Sequence, residues 1–401
     1  MFDTTANVPA SEITNRIARF QNLLHEQNLD GALILQNSDL YYFSGTIQQS
    51  HLYIPASGEP VLMVRKSYER ARAESAIGSV VAIRTPKNIP EILKSHGLEI
   101  PLRLGMELDV LPVNLFRSYE YIFEGPEMVD ISSAVRMVRS VKSPYEIDLI
   151  TRAAGFSDMV AAYARETIRP GMSELELAGL VEGYARKLGH QGIVRMRLWG
   201  SEMFYGHLMS GPSAAVPSYL ASPTGGAGAN PAVAQGSGSS PILPNQPILL
   251  DYVFAMNGYI SDHTRIFAVG SLPDDLLAAH ESMLKLQGVI QKEAKPGVSG
   301  GYLYDMAVHL AAEMGYADNF MGADDQRIRF IGHGVGLELD EFPFLAKGQT
   351  MPLEQNMVIA LEPKLIFPGR GVVGIENTHI VTQQGLRPLG HFPDEITIVV
   401  H

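Results

Sequence analysis

Five side chains in the second half of this chain have the types and spacing of a two-metal site: Asp251, Asp262, His333, Glu362 and Glu376. Four carboxylates and one imidazole in one pocket would repel one another strongly unless cations lay between them. Oxygen-rich ligand sets of this kind suit Mn, Co, Fe or Zn better than thiolate-seeking metals. Two such ions, about 3.5–4 Å apart, can share a hydroxide and stabilise a hydrolytic transition state. We therefore expect two divalent metal ions here.

The two aspartates lie on the arms of a predicted β-hairpin. Asn257-Gly258 separates two apolar runs, and this dipeptide is a strong hairpin signal because both turn positions require positive φ. With a two-residue turn, Asp262 faces residue 253 and Asp251 faces residue 264. The two carboxylates then share one face as diagonal neighbours. The alternative is a solvent-facing hairpin that carries two unrelated aspartates.

The other three candidate ligands lie in frames that favour a site. His333 stands between two glycines, which let the backbone turn sharply or approach a ligand closely. Glu362 and Glu376 each end an apolar, strand-like run, and acids rarely end buried strands unless something pairs with them. A lone histidine is more often structural, so the prediction depends on the combination.

The elements that must position these residues indicate two α/β (α+β) domains, 1–132 and 133–401. An amphipathic helix is predicted at 11–29, and strands at 32–35, 60–64 and 80–83 alternate with helical segments. Ser143 and Glu146 form a capping box around Pro144, which predicts the first long helix of the second domain.

An internal repeat predicts that the second domain has duplicated halves. The Pro-Gly-x-Ser segment at 170–173 recurs at 296–299, and a helical pattern follows each copy. Each pattern closes with a glycine, Gly189 or Gly315, that fits a helix C-cap. Ser173 and Glu176 form a further capping box. A pocket between two such halves is a natural place for the metal site. Chance similarity is the alternative, since Pro-Gly is common before helices.

The chain resembles the pita-bread metallopeptidases: prolidase, aminopeptidase P, methionine aminopeptidase and their metal-free relative creatinase. The segments that carry the resemblance are 251–265, 332–336, 361–363, 374–377, 139–147 and 37–45. The resemblance implies a creatinase/prolidase-like amino-terminal domain, a pita-bread catalytic domain and a homodimer. It also implies that Asp262 and Glu376 bridge two metals, and that His333 and Glu362 bind the same one.

Three positions depart from the family pattern. Asp340 stands where prolidase-like enzymes carry a substrate-contacting histidine, Gln235 stands near the place of another histidine, and Gly374 replaces a frequent arginine. The segment 221–240, rich in Gly, Ala, Ser and Pro, is either a flexible loop or a loop over the pocket. His207 is a candidate substrate contact, whereas His263 points away from Asp262 and is expected to be structural.

The resemblance implies hydrolysis of the Xaa-Pro bond of dipeptides or short peptides by a metal-bridging hydroxide, with Glu362 shuttling a proton to the leaving amine. One alternative is a pita-bread enzyme that acts on a small non-peptide substrate, as a lyase or amidinohydrolase, with Asp340 as the base. Another is a non-enzymatic interaction module of the same fold, against which the retention of all five ligands argues.

Composition sets the remaining expectations. The chain has 401 residues, no cysteine and a net charge of −12. The absence of cysteine excludes a thiolate metal site, and the negative charge disfavours nucleic-acid binding. The start of the chain has no secretory-signal pattern, and no apolar run is long enough to span a membrane. We therefore expect a cytoplasmic protein.

Overall fold

The computed structural model describes residues 7–400 of the chain. The first six residues, on which the prediction of no secretory signal depends, and His401 lie outside the described residues. Contacts within the chain divide it into two compact units, residues 1–139 and 140–401. The domain boundary predicted between residues 132 and 133 falls at the start of the helix Ser132–Ser140.

The amino-terminal unit is an α/β structure. Its strands are β1 (Gly31–Ile34), β2 (Ser50–Pro55), β3 (Val61–Val64), β4 (Ser79–Ala82), β5 (Arg103–Met106) and β6 (Glu127–Asp130). They form one mixed sheet in the order β4-β3-β2-β1-β5-β6. Its α-helices are α1 (Ala10–Glu26), α2 (Asn37–Ser44), α3 (Tyr68–Glu74), α4 (Ile89–Ser95), α5 (Val113–Phe123) and α6 (Ser132–Ser140).

The helix predicted at 11–29 is α1, which buries Ile13, Ile17, Phe20 and Leu24 as its periodicity indicates. The predicted strands correspond to β1, β3 and β4, each with its ends within one residue of the prediction.

The second unit carries the candidate site and contains two larger sheets. Its helices are α7 (Pro144–Thr167), α8 (Glu174–Leu188), α9 (Asp274–Glu293) and α10 (Gly300–Glu313). Its strands are β7 (Gly206–Ser210), β8 (Pro247–Met256), β9 (Tyr259–Val269), β10 (Phe330–Gly334), β11 (Glu341–Ala346), β12 (Val358–Leu361), β13 (Lys364–Phe367), β14 (Gly371–Gly374), β15 (Asn377–Thr382), β16 (Gly385–Pro388) and β17 (Thr397–Val399).

These strands form a four-stranded sheet (β17-β9-β8-β7), a five-stranded sheet (β11-β10-β12-β15-β16) and the pair β13-β14. Short 3-10 helices occur at Pro86–Asn88, Gly211–Ala215 and Asp324–Gln326. Each larger sheet has its own apolar core. One core includes residues of α7, α8, β8 and β9, and the other includes residues of α9, α10, β10 and β12. None of the helices within residues 7–400 is both long enough and apolar enough to cross a membrane.

The predicted capping box begins α7. The Ser143 hydroxyl accepts a hydrogen bond from the backbone N–H of Glu146, whose carboxylate accepts one from the Ser143 N–H. Pro144 is the first helical residue, where its missing N–H removes no helical bond.

The two Pro-Gly-x-Ser segments form equivalent structures. Ser173 caps α8 by accepting a bond from the N–H of Glu176, and Ser299 caps α10 in the same way. The glycine of each segment donates a 2.8 Å backbone bond to a later extended segment, Gly171 to Ile242 and Gly297 to Leu353. This parallel supports the predicted duplication.

The two repeated helices differ at their ends. Gly189 is the C-cap of α8, with φ 107°, as predicted. The C-cap of α10 is Met314, and the left-handed Gly315 follows it, so the prediction of a cap at Gly315 was one residue too late. The helices have 15 and 14 residues.

Candidate metal centre

The hairpin forms in the predicted register. Asn257 and Gly258 have φ values of 49° and 86°, as a two-residue turn of this type requires. Asp262 pairs with Val253 and Asp251 pairs with Thr264, so the two aspartates lie on one face. Both line the same cleft, and Asp262 is only 5% exposed, which excludes the solvent-facing alternative.

The other three candidate ligands come from the second sheet and its edges. In the β10–β12 pair, His333 lies opposite Ala360, so it stands close to Glu362 at the end of β12. A Cβ atom at Gly332 would lie 2.4 Å from the Ala360 carbonyl oxygen, which explains the glycine before His333. Glu376 lies between β14 and β15, and its backbone bridges to Thr264 of the hairpin.

The Nε2 atom of His333 faces three carboxylate oxygens. They lie 3.6 Å away on Glu362 (Oε1), 3.7 Å away on Asp262 (Oδ2) and 4.0 Å away on Glu376 (Oε1). These separations are too long for hydrogen bonds. They suit donors that share one ion, because two atoms each about 2.1 Å from a metal lie at most about 4.2 Å apart. Donor atoms of Asp262, His333 and Glu376 all lie within 4.8 Å of one another, so these three fit one divalent cation, with Glu362 Oε1 beside His333.

A lysine that the sequence analysis missed lies in the same centre. The Nζ atom of Lys364 is 2.7 Å from Glu376 Oε2, 2.9 Å from Glu362 Oε2 and 3.1 Å from Asp251 Oδ2. A lysine ammonium has three N–H donors, and all three are used here. Glu362 and Glu376 each direct one oxygen to Lys364 and the other towards His333.

The geometry therefore differs between the two sides of the centre. The His333 side offers oxygens and a nitrogen at ion-sharing distances. On the Asp251 side, where a second ion is expected from the sequence, the fully bonded ammonium of Lys364 lies among the carboxylates, and its side chain is 1% exposed. The residues fit one divalent ion, but they do not fit two.

Excess negative charge perturbs the acidic groups. Burial, together with Glu376 and Asp251, raises the pKa of Asp262 well above its usual range. Burial, with Glu362 and Asp251, raises the pKa of Glu376 to about 8, although Lys364 opposes the shift. A divalent cation would relieve this repulsion, so the electrostatics favour cation binding.

The basic groups respond in the opposite sense. Burial alone would lower the pKa of His333, but Asp340, Glu362 and Asp262 raise it overall. Burial would also lower the pKa of Lys364, but its carboxylate neighbours raise it well above the usual value. Lys364 is therefore a cation at neutral pH.

Hydrogen bonds from the hairpin and β15 orient the candidate ligands. Thr264 donates its hydroxyl to Glu376 Oε2 at 2.8 Å, and the His263 N–H donates to Asp262 Oδ1 at 2.9 Å. The Thr378 hydroxyl accepts from the Asp262 N–H and donates to the Asp262 carbonyl. Such outer contacts fix the rotamers that present the remaining oxygens to a cation.

Asp340 lies at the centre, as its position relative to His333 suggests. Its Oδ1 is 3.8 Å from His333 Nδ1, and the residue lines the cleft. Its φ of 62° lies in the left-handed region, which aspartate tolerates better than most residues. The position of the family's substrate-contacting histidine thus holds a carboxylate beside the candidate metal ligand.

His207 and Gln235 are brought together, but only one of them faces the centre. His207 lies opposite Asp251 in the β7–β8 pair and lines the cleft. Its Nε2 bonds Gln235 Oε1 at 3.1 Å, while the Gln235 amide donates to the Glu202 carbonyl and the Tyr219 hydroxyl. Gln235 lines a neighbouring cavity, and its hydrogen bond holds the His207 ring in place.

The segment 221–240 contains no helix or strand, and its first residues, Ala221 and Ser222, line the cleft beside the metal centre. This placement supports the interpretation of a loop over the pocket. His263 is buried on the opposite face of the hairpin, 3.8 Å from Asp158, which agrees with a structural role.

Gly374 faces Lys364 directly in the β13–β14 pair. A Cβ atom at position 374, where φ is 148°, would lie 2.6 Å from the Cα of Lys364 and 3.1 Å from its Cγ. Any side chain at this position would therefore collide first with the backbone of Pro363 and Lys364. The close approach of the opposite strand thus accounts for the glycine at position 374, which also lies next to the aliphatic part of Lys364.

The cleft combines apolar walls with an acidic floor. Its apolar lining residues are Met196, Leu198, Met203, Leu220, Val253, Phe330 and Leu339, and its carboxylates are Asp251, Asp262, Asp340, Glu362 and Glu376.

Family models match nearly the whole chain. Residues 148–383 match metallopeptidase family M24, and residues 16–141 match the creatinase/prolidase amino-terminal domain. The fold is therefore the predicted α/β amino-terminal domain followed by a pita-bread domain.

Individual relatives agree with these matches. The chain is 29% identical to an Xaa-Pro dipeptidase of Pyrococcus furiosus over 93% of its own length and 97% of the relative. It is 26% identical to an Xaa-Pro dipeptidase of Lactobacillus delbrueckii, covering 95% and 98%. A crystal structure of the prolidase from Pyrococcus horikoshii superposes with a TM-score of 0.78 at 26% identity, covering 94% and 99% of the two chains.

Proposed function

Because the chain belongs to metallopeptidase family M24, we propose that it hydrolyses the peptide bond before proline in short peptides with the help of a divalent cation. The observation that carries the proposal is the group of three carboxylate oxygens 3.6–4.0 Å from His333 Nε2, at the floor of a cleft. Relatives named Xaa-Pro dipeptidase support the substrate class.

The residues that would hold the ion are Asp262, His333, Glu362 and Glu376. When bound, Mn, Co, Fe or Zn would polarise the scissile carbonyl and lower the pKa of a water molecule. Glu362 is a buried carboxylate that lines the cleft beside this position. It is placed to accept a proton from the attacking water and to pass the proton to the leaving amine.

The walls of the cleft suit the substrate class. Met196, Met203, Leu220 and Phe330 provide apolar surface for the pyrrolidine ring of proline or for the side chain that precedes it. His207 is placed to form a hydrogen bond with the peptide. Gln235 holds the imidazole ring of His207 through a hydrogen bond to its Nε2 atom. These roles for His207 and Gln235 belong to the proposal.

The charge of the cleft favours peptides that continue beyond proline over free Xaa-Pro dipeptides. The described residues that line the cleft include five carboxylates and no arginine, and Lys364 already bonds three of those carboxylates. A dipeptide would bring its own carboxylate close to this acidic surface, where like charges repel. An amide or a longer peptide would not.

The test is a hydrolysis screen with the purified protein, after supply of Mn²⁺ or Co²⁺. The substrates are Xaa-Pro dipeptides, their carboxy-terminal amides and longer Xaa-Pro peptides, with Xaa-Ala peptides as the specificity control. The proposal expects cleavage before proline, with the amides and longer peptides preferred. Equal cleavage of Xaa-Ala peptides, or no cleavage of any proline peptide, would contradict it.

Asp340 favours a second candidate, a reaction on a small non-peptide substrate with Asp340 as the base. The carboxylate lies 3.8 Å from His333 Nδ1, in the place of a substrate-contacting histidine of the family. Turnover of a small amide, amidine or β-substituted acid that is lost in Asp340→Asn, together with inactivity towards all peptides, would favour this candidate. The homodimer and the cytoplasmic location stay predictions.

A further inference from the structure

We propose that the Lys364 ammonium permanently takes the second cation position of this centre, so that the chain binds one divalent ion, beside His333, instead of two. The inference rests on the metal centre of the proposed function, but it does not depend on the peptide substrate. It starts from the partners of Lys364, which are three of the four acidic residues that were expected to bind metal.

The acidic groups divide between two cations. Asp251 Oδ2, Glu362 Oε2 and Glu376 Oε2 accept hydrogen bonds from Lys364 at 2.7–3.1 Å. Asp262 Oδ2, Glu362 Oε1 and Glu376 Oε1 face His333 Nε2. Glu362 and Glu376 thus bridge an ammonium and an ion position, in the way that bridging carboxylates join two metals.

The chain fixes the ammonium in this place. Pro363 lies between Glu362 and Lys364 and favours an extended backbone at the residue before it. In an extended segment, residues two apart point to the same side, so Lys364 follows Glu362 into the centre. The absence of a side chain at Gly374 leaves space for the aliphatic part of Lys364, whose Cγ would be 3.1 Å from a Cβ there.

The charges also balance better with one ion than with two. An ammonium and one divalent ion together carry three positive charges, which face the four carboxylates of Asp251, Asp262, Glu362 and Glu376. A second divalent ion would have to enter beside the ammonium and repel it, or displace it from three buried acceptors. The first change places two cations side by side in a buried site, and the second leaves the ammonium without its three acceptors; both are strongly disfavoured.

The test is metal stoichiometry. The full-length protein is stripped with chelator, dialysed against excess Mn²⁺, freed of loose metal and analysed by elemental analysis and by Mn²⁺ electron paramagnetic resonance. We expect one Mn²⁺ per chain with the spectrum of an isolated ion. Lys364→Ala should bind two Mn²⁺ ions per chain and show the exchange coupling of a metal pair. Lys347→Ala, the same change at an exposed lysine, should stay at one.

Asp251→Asn tests the inference without altering the lysine. Because Asp251 contacts Lys364 and is not among the oxygens that face His333, the variant should still bind one Mn²⁺ per chain. A loss of one ion from a wild-type content of two would assign Asp251 to a second metal. This variant and the wild type decide the matter even if Lys364→Ala does not fold.

The outcomes separate this inference from the proposed function. Two coupled Mn²⁺ ions in the wild type would overturn the inference and leave the proposed peptidase unaffected. One Mn²⁺ per chain, rising to two in Lys364→Ala, would establish it even if no Xaa-Pro peptide were cleaved. No bound Mn²⁺, Co²⁺ or Zn²⁺ in the folded wild type would refute the metal centre itself, and this inference with it.

Discussion

Replacing Lys364 with methionine should destabilise the metal-free protein by about 3–5 kcal/mol at neutral pH. Removing one partner of a buried ion pair typically has this cost, because the other charge then remains buried without a partner. Lys364 has three partners at 2.7–3.1 Å, yet we do not expect a threefold effect. Glu376, whose pKa is raised to about 8, already carries its proton for most of the time at neutral pH, so fewer than three charges lose their partner.

The measurement is urea unfolding of the chelated protein, followed by circular dichroism in the helical region. A loss of this size lowers the urea concentration at the midpoint of unfolding by about 1–2 M, for a domain the size of the second unit. The deficit should shrink as the pH is lowered, because protonated carboxyls need no ammonium, and it should shrink when Mn²⁺ is added. Lys347→Met, at an exposed position, is the matched control. A deficit below about 1 kcal/mol would refute the assignment of Lys364 as the main internal cation.

Four further predictions test the site and its frame. Asp262→Ala should abolish binding of the ion, since Asp262 Oδ2 is one of the oxygens facing His333; unchanged metal content by elemental analysis would contradict this. Gly258→Val should weaken metal binding without touching a ligand, because the turn sets the hairpin register; wild-type affinity in calorimetric titration of a folded variant would count against the register argument. Asp340→His should raise kcat/KM for Xaa-Pro peptides, by less than the roughly 100-fold that one oxyanion donor can contribute, since two other positions also depart from the family. If the change abolished a robust activity instead, Asp340 would be a working catalytic group. Burial lowers the pKa of His379 to about 4, so the unfolded chain takes up a proton first as the pH falls below about 6.5. Stability should therefore decrease between pH 6.5 and 4, by up to about 3 kcal/mol from this residue, and His379→Gln should flatten that part of the pH profile.

The sequence predicts the features that local chemistry determines. The Asn257-Gly258 turn requires positive φ at both positions, and this requirement alone places Asp251 and Asp262 on one face. The Ser143 capping box fixes the start of α7 for a similarly local reason. The cap of α10 was misplaced because a left-handed glycine can lie either at the last position of a helix or one residue beyond it.

The contents of the centre could be predicted only in part, because its two sheets meet through contacts distant in sequence. Glu376 reaches the hairpin through Thr264, and no local pattern specifies that contact. Lys364 was nevertheless within reach of sequence reasoning. It begins a strand-like apolar run, where lysine is rarely buried without a partner, and it lies two residues after Glu362.

The position of Lys364 changes the interpretation of the departures from the family pattern. From the sequence alone, Gly374 is one of three departures among the groups that contact substrate or support the ligands, next to a metal site whose ligands are all retained. In the structure, Gly374 lies opposite Lys364 in the β13–β14 pair, so the cation of this pair is at position 364. The ammonium of Lys364 is thus placed among the metal-site carboxylates.

Asp340 extends the same change to the substrate side of His333, where it adds an anion to the cleft. A cleft with five carboxylates, whose lysine already bonds three of them, offers a free substrate carboxylate repulsion and offers a substrate amine attraction. If the proposed function holds, we therefore expect the cleft to favour peptides that enter with their amino end towards the centre and carry their carboxylate away from it. The preference for Xaa-Pro amides and longer peptides over free dipeptides follows from the position of these charges.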